Sequence, residues 1–230
     1  MAYFKDAVEE TIQDDHAILK YIIFAIPLYL TYYMYSTGNT GFIFVLLLAI
    51  SVLMLLGILT ICTTNVLCNN SQILPDLNWV IFKEGVITLF AIAPAVLINL
   101  GLPYYITRSF SLPSDKFDII LKIFIWFAFI SIIFTTYLLF VKEKKFKDVY
   151  NLKAISDFGA NIMISLIFMI PLILLVNVIL LAPITYLIAL FFGIPNPIYD
   201  FICCVFLVWN IAIIGNYLAQ IGMETIDMKR

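Results

Sequence analysis

Residues 42–62 read FIFVLLLAISVLMLLGILTIC, an apolar run without a charge or a proline. As a helix rising 1.5 Å per residue it would measure about 30 Å, the thickness of a bilayer's hydrocarbon core. Outward from it lie five more such runs, at about 19–35, 79–100, 117–141, 161–181 and 198–220, joined by short polar connections. Apolar residues make up 63% of the 230 and charged ones only 12%, more greasy surface than a water-soluble chain of this length can bury. In lipid every backbone N–H and C=O must be satisfied internally, which leaves helices or a closed barrel. The runs are continuous rather than alternating, so a barrel is excluded. The sequence predicts an all-α polytopic transmembrane bundle: six spans within one membrane domain, 1–230.

The connections carry their own expectations. Residues 3–19 pattern as an amphipathic helix with Phe4, Val8, Ile12 and Leu19 on one face. The acids Asp6, Glu9, Glu10, Asp14 and Asp15 disfavour anionic headgroups and favour packing on protein. They are also the wrong charge for a secretory leader, and no small-residue cleavage site follows the first span. Asn78 is placed to cap the third span with Trp79 at headgroup level, and Gly101 with Pro103 to stop it. Pro113 falls in the outer loop that follows. Residues 142–160 read as a cytoplasmic interfacial segment. The fifth apolar run, Asn161–Phe192, would reach about 48 Å if straight. Pro171 and Pro183 offer two places to break it, so its span is expected to end near Leu181. A turn through Gly193, Pro195 and Pro197 leads to the sixth span.

Of the 13 lysines and arginines, Lys5, Lys20, Lys83, Lys142, Lys144, Lys145, Lys147, Lys153, Lys229 and Arg230 fall on one face. Arg108, Lys116 and Lys122 fall on the other. This bias puts both termini in the cytoplasm of a cell-membrane protein. Pro27, Pro94 and Pro171 occupy the outward-going helices, each preceded by a Phe-Lys-acidic tripeptide, which suggests three tandem hairpins. The spacing from tripeptide to proline varies, so coincidence is the competing reading.

Little catalytic chemistry is legible. His16 is the one histidine, and the cysteines Cys62, Cys68, Cys203 and Cys204 show no metal-ligand spacing, so neither metal nor cofactor is expected. A net charge of −2 and the lack of a basic extramembrane domain exclude nucleic acid. The amides Asn99, Asn177, Asn210, Asn216 and Gln220 stand out, because lipid offers them no partner. Interhelical hydrogen bonding is their common use, and a transport site the alternative. Lys83 and Glu84 lie within about two turns of a boundary and reach the interface or pair. Lys142, Lys144, Lys145 and Lys147 attract anionic headgroups at ~1 kcal/mol each, diluted by Glu143 and Asp148.

Leu74-Pro75-Asp76 after the second span, Phe82-Lys83-Glu84-Gly85 opening the third, and Gly215-Asn216-Tyr217-Leu218-Ala219-Gln220 near the C-terminus form a pattern. In these the chain resembles a bacterial and archaeal family of multi-span membrane proteins known as a domain of unknown function. The resemblance covers nearly the whole chain and implies the architecture and the cytoplasmic membrane, but no activity. The residues favour a non-enzymatic membrane component that binds lipid, a partner protein or a second copy of itself. The alternative is a small-solute permease or channel-like transporter. An intramembrane enzyme would need a nucleophile with a base or a metal, which the chain does not assemble.

Overall fold

The computed structural model describes residues 2–109, 115–144, 146–193 and 196–225. Pro113, Lys145, Pro195, Lys229 and Arg230 lie outside the described residues, as do the side chains of Lys116, Glu143, Lys147 and Asp148. The described secondary structure is helical throughout: α1 (Ala2–Gln13), α2 (Ala17–Ser36), α3 (Phe42–Leu67), α4 (Trp79–Ser109), α5 (Asp115–Glu143), the single turn α6 (Phe146–Val149), α7 (Leu152–Phe192) and α8 (Pro197–Thr225). Six of these are long and apolar enough to cross a membrane. Only 11–39% of each apolar window is buried inside the chain, so the remaining surface needs lipid around it. The protein is a multi-pass integral membrane protein.

Local chemistry sets the helix ends. Asn78 Oδ1 accepts the Val80 N–H at 3.0 Å and caps α4 as the sequence suggests. Asn196 Oδ1 does the same for Ile198 at 2.8 Å, with Pro197 at the first helical position. Asn151 Oδ1 accepts from Ala154 at 3.2 Å. Gly38 and Gly193 turn the chain at φ 74° and 78°, beyond the ends of α2 and α7.

Several boundaries differ from expectation. The helix foreseen over 3–19 stops at Gln13, and His16 in the left-handed region (φ 58°) redirects the chain into α2. Its buried face is Phe4, Ala7, Thr11 and Asp14, whereas Ile12 and Leu19 are exposed. Gly101 and Pro103 do not end α4, and Pro171 and Pro183 do not break α7. A backbone released from helix inside lipid has nowhere to bond, so the helix persists through residues that would end it in water. The segment 142–160 divides: Lys144 (φ 52°) terminates α5, α6 makes one turn, and α7 starts at Leu152 on its Asn151 cap.

The chain forms two compact units. The first comprises Met1–Val86 and Ile170–Gln220. Here α2 and α3 make a hairpin, joined where the Thr31 and Ser51 hydroxyls meet at 3.1 Å. α3 and the start of α4 cross at two glycines. A Cβ on Gly57 would collide with the Ile81 carbonyl oxygen, and one on Gly85 with that of Leu53. Gly215 of α8 meets α3 similarly: a Cβ there would come within 2.9 Å of the Leu59 carbonyl oxygen. Such small-residue contacts let backbones approach and gain dispersion energy that lipid tails cannot match. α1 lies along α8: Phe4 meets Tyr217 edge-on, and Trp209 Nε1 donates to Thr11 Oγ1 at 3.2 Å. Tyr21 ties α2 to α1 by donating to the Thr11 carbonyl at 2.7 Å.

The second unit comprises Ile87–Met169 and Ile221–Lys229. Tyr137–Val141 of α5 are buried, as are Ile162, Leu166 and Met169 on one face of α7. Ser131, Thr135 and Thr136 return their hydroxyls to carbonyls of their own helix, so the seam buries no orphan donor there. Tyr150 donates to the Ala91 carbonyl at 2.8 Å, and desolvation pushes its phenol above the ordinary value.

Candidate functional site

The amides singled out from sequence divide into three arrangements. Asn177 and Asn210 hold each other: each Nδ2 donates to the other's Oδ1, at 2.9 and 3.0 Å. Their second N–H groups go to the Ile173 and Phe206 carbonyls of their own helices, both at 2.8 Å. Asn177 lies midway between Ile162 and Phe192, and Asn210 near the middle of α8. The pair therefore sits well inside two long apolar helices, away from their ends.

Asn216 and Gln220 form a line on α8. Gln220 Nε2 donates to Asn216 Oδ1 at 2.8 Å, and Asn216 Nδ2 donates to the exposed Glu10 carboxylate at 2.8 Å. Gln220 Oε1 is buried without a hydrogen-bond partner. Asn99, by contrast, turns back to the Ala95 carbonyl one turn away.

The boundary charges behave as surface groups. Lys83 is exposed and Glu84 half-buried in the first two turns of α4. Lys142 is half-buried, and the Lys144 ammonium lies 5.5 Å from the centre of the Phe140 ring.

Sequence reasoning missed the most organised polar cluster. Asp14, read from sequence only as one acid on the polar face of the first helix, has a side chain with no solvent exposure. One of its oxygens accepts the backbone N–H groups of Ile73 and Leu74, at 2.5 and 2.8 Å. The other accepts from Lys20 at 3.0 Å, whose ammonium also lies 3.6 Å from Asp76 and donates to the Leu74 carbonyl at 3.4 Å. One buried pair thus pins the α1–α2 break to the loop between α3 and α4. The legible signal was spacing: 4, 7, 11 and 14 form one helical stripe, and a carboxylate on it must be satisfied.

That loop folds back along the end of α3 instead of projecting away. Asn65 donates to the Ile73 carbonyl (3.0 Å), Asn70 to Asn65 (2.9 Å), and Gln72 to both the Leu74 carbonyl (3.1 Å) and Asp76 (2.8 Å). Together they frame an open cavity of about 370 Å³ whose walls include Ile61, Asn65, Asn70, Gln72, Asp76 and Val80. A second groove of about 390 Å³, between Ile12, Ile18, Leu180 and Phe206, is almost entirely apolar. Among the described residues no group of His, Cys, Asp and Glu is arranged to hold a metal ion.

The segments behind the family resemblance have structural duties. Leu74-Pro75-Asp76 walls the cavity, and Gly85 permits the crossing with Leu53. No family model, curated protein or solved structure matches the chain.

Proposed function

We propose that the protein is a non-enzymatic component of the cell membrane, with both termini cytoplasmic, that binds lipid or a partner protein through its loop-bearing face. The observation that carries this reading is how the intramembrane polar groups are used. Asn177 and Asn210 satisfy each other, Thr31 meets Ser51, and Thr63 donates to the Gly215 carbonyl at 3.1 Å. These groups are spent on holding helices together rather than on facing a solute. The ordered polarity lies instead in the loop between α3 and α4.

A small-solute permease is the second reading, favoured by one feature. Glu10, Asn216 and Gln220 make a line of hydrogen bonds from an exposed carboxylate to a buried acceptor without a partner. The two readings separate in proteoliposomes carrying the full chain and loaded with ions and small polar solutes. For a binding component, Asn177→Leu and Asn216→Leu lower the yield of folded protein, and neither wild type nor variant adds flux above empty vesicles. Solute flux that disappears in variants of normal abundance would overturn the proposal.

A further inference from the structure

Within the first unit, a trough runs from the α1–α2 corner along α2, α7 and α8. Its deeper part is the apolar groove of about 390 Å³. Ala17, Tyr21 and Trp209 are buried at its floor, and Ile18, Leu180 and Ile184 are exposed along its rims. A shallower depression of about 500 Å³ at the corner, walled by His16, Leu19 and Ile22, shares Ile12, Ala17 and Ile18 with it, so the two are continuous. α2 runs opposite to α8: Tyr21 and Trp209 line the same groove, and Tyr29 meets Phe201 edge-on at 5.6 Å. The trough therefore follows the helices from the start of α2 into their apolar length. The polar atoms at the floor are already spent. Tyr21 donates its hydroxyl to the Thr11 carbonyl, and Trp209 Nε1 donates to Thr11 Oγ1. The rest of the groove lining is aliphatic side chains and the Phe206 ring, so an occupant meets carbon.

We propose that this trough seats one acyl chain of a bilayer phospholipid and retains it while the surrounding lipid exchanges. The groove is continuous with the lipid-facing surface of α2, α7 and α8, whose apolar windows are only 11–28% buried. It is too small for a second copy's helix. A helix about 10 Å across has a cross-section near 80 Å², so 390 Å³ would take only about 5 Å of its length, roughly one turn. A single hydrocarbon chain is thin enough to lie along it. The open end favours a lipid as well. The Ala17 N–H goes to the Asp14 carbonyl and that of Lys20 to the His16 carbonyl, while His16 caps α2 without using its side chain. The Ile18 and Leu19 N–H groups are left for a phosphate rather than for the apolar side chains of a partner helix. Exposed Asp15 beside them opposes that charge, so the enclosed chain, not the headgroup, carries the affinity. Its source is dispersion: floor and rims touch the chain on several sides, contacts that an empty groove forgoes. The proposal goes beyond the binding role of the loop-bearing face and does not rest on it.

The test follows Trp209 at the floor of the groove, in full-length protein carrying Trp79→Phe and Trp126→Phe. A companion protein with Trp79→Phe and Trp209→Phe keeps only Trp126, on α5. Phosphatidylcholine brominated at mid-chain is titrated into cholate micelles holding either protein. Bromine quenches an indole only at contact, and a bile salt has no flexible chain to compete for the groove. Trp209 fluorescence is expected to fall saturably, with an end point near one lipid per protein. Trp126 fluorescence is expected to fall only in proportion to the lipid content of the micelle. Val205→Phe adds bulk inside the groove and should weaken the saturable phase about tenfold. Ile184→Ser removes part of an exposed rim and should weaken it less, and Ile179→Ser, exposed on α7 outside the groove, not at all. Trp209 quenching that merely tracks lipid content overturns the proposal, as does a folded Val205→Phe protein that saturates like wild type. If Val205→Phe does not fold, unchanged saturation in Ile184→Ser has the same force. A Trp209 shielded from bromine in a protein that sediments as a dimer gives the groove to a second copy and overturns the proposal too. Neither flux nor the loop is read, so failure here leaves the preceding section's test intact.

Discussion

Replacing Gly57 by alanine asks how much of the first unit's stability depends on backbone contact between α3 and α4. The new Cβ would fall well inside 3.0 Å of the Ile81 carbonyl oxygen, and that oxygen cannot swing aside without disturbing its own helix. The helices must part by roughly 1 Å. A gap of that order forfeits a quarter to a half of each dispersion contact it opens. Ile58 and Ile81 beside the crossing are fully buried, so the loss falls on close-packed atoms. With overpacking at about 1–3 kcal/mol, the rigid backbone obstacle places Gly57→Ala toward the upper end, about 2–3 kcal/mol. Gly85→Ala meets the Leu53 carbonyl across the same crossing and should cost as much. Once the first substitution has opened the crossing, the second has less left to disrupt. The double variant should therefore lose less than the sum by about 1 kcal/mol. Gly101→Ala is the control: it lies within α4 with nothing near its would-be Cβ, and should gain about 0.5–1 kcal/mol. Equilibrium unfolding in mixed micelles measures all four. If Gly57→Ala proves as mild as Gly101→Ala, or if the two crossing substitutions simply add, the close approach does not hold these helices.

Asn177→Leu alone strands the Asn210 amide in an apolar setting and should cost about 1–2 kcal/mol. The double Asn177→Leu, Asn210→Leu should cost less than either single change, and a double-mutant cycle in micelles reads the coupling. Asp14→Ala leaves two buried loop N–H groups without their acceptor and Lys20 with only the more distant Asp76, for a loss of about 3 kcal/mol, the lower end for breaking a buried pair. Limited proteolysis should then cut between Cys68 and Asn78, and an uncut loop would show that the clamp is dispensable. Cys68 is exposed and Cys62 fully buried, so with Cys203 and Cys204, both half-buried, replaced by serine, an impermeant maleimide should modify Cys68 from the lysine-rich side alone. Labelling of that variant in intact cells from outside would reverse the proposed orientation.

Hydropathy alone determined the class, because a run such as 42–62 has only one stable environment and that environment permits only helix. It also marked the amides at 177, 210, 216 and 220, since polar groups among aliphatic neighbours are conspicuous and must find partners. Partner identity was not legible: Asn177 meets Asn210, and Asn216 meets Glu10, across chain separations that no local pattern encodes. Helix ends were misjudged at Gly101, Pro103 and Pro183, where rules learned from water gave way to the cost of an unbonded backbone in lipid. Asp14 escaped notice for the opposite reason. Carboxylates near a terminus are usually solvated, and only the fold of the α3–α4 loop, delivering the Ile73 and Leu74 N–H groups and Lys20 together, made its burial affordable. The sequence thus determined the surrounding solvent and the helices suited to it, whereas tertiary structure decided which polar groups meet, because the geometry of those meetings is fixed by packing between distant segments.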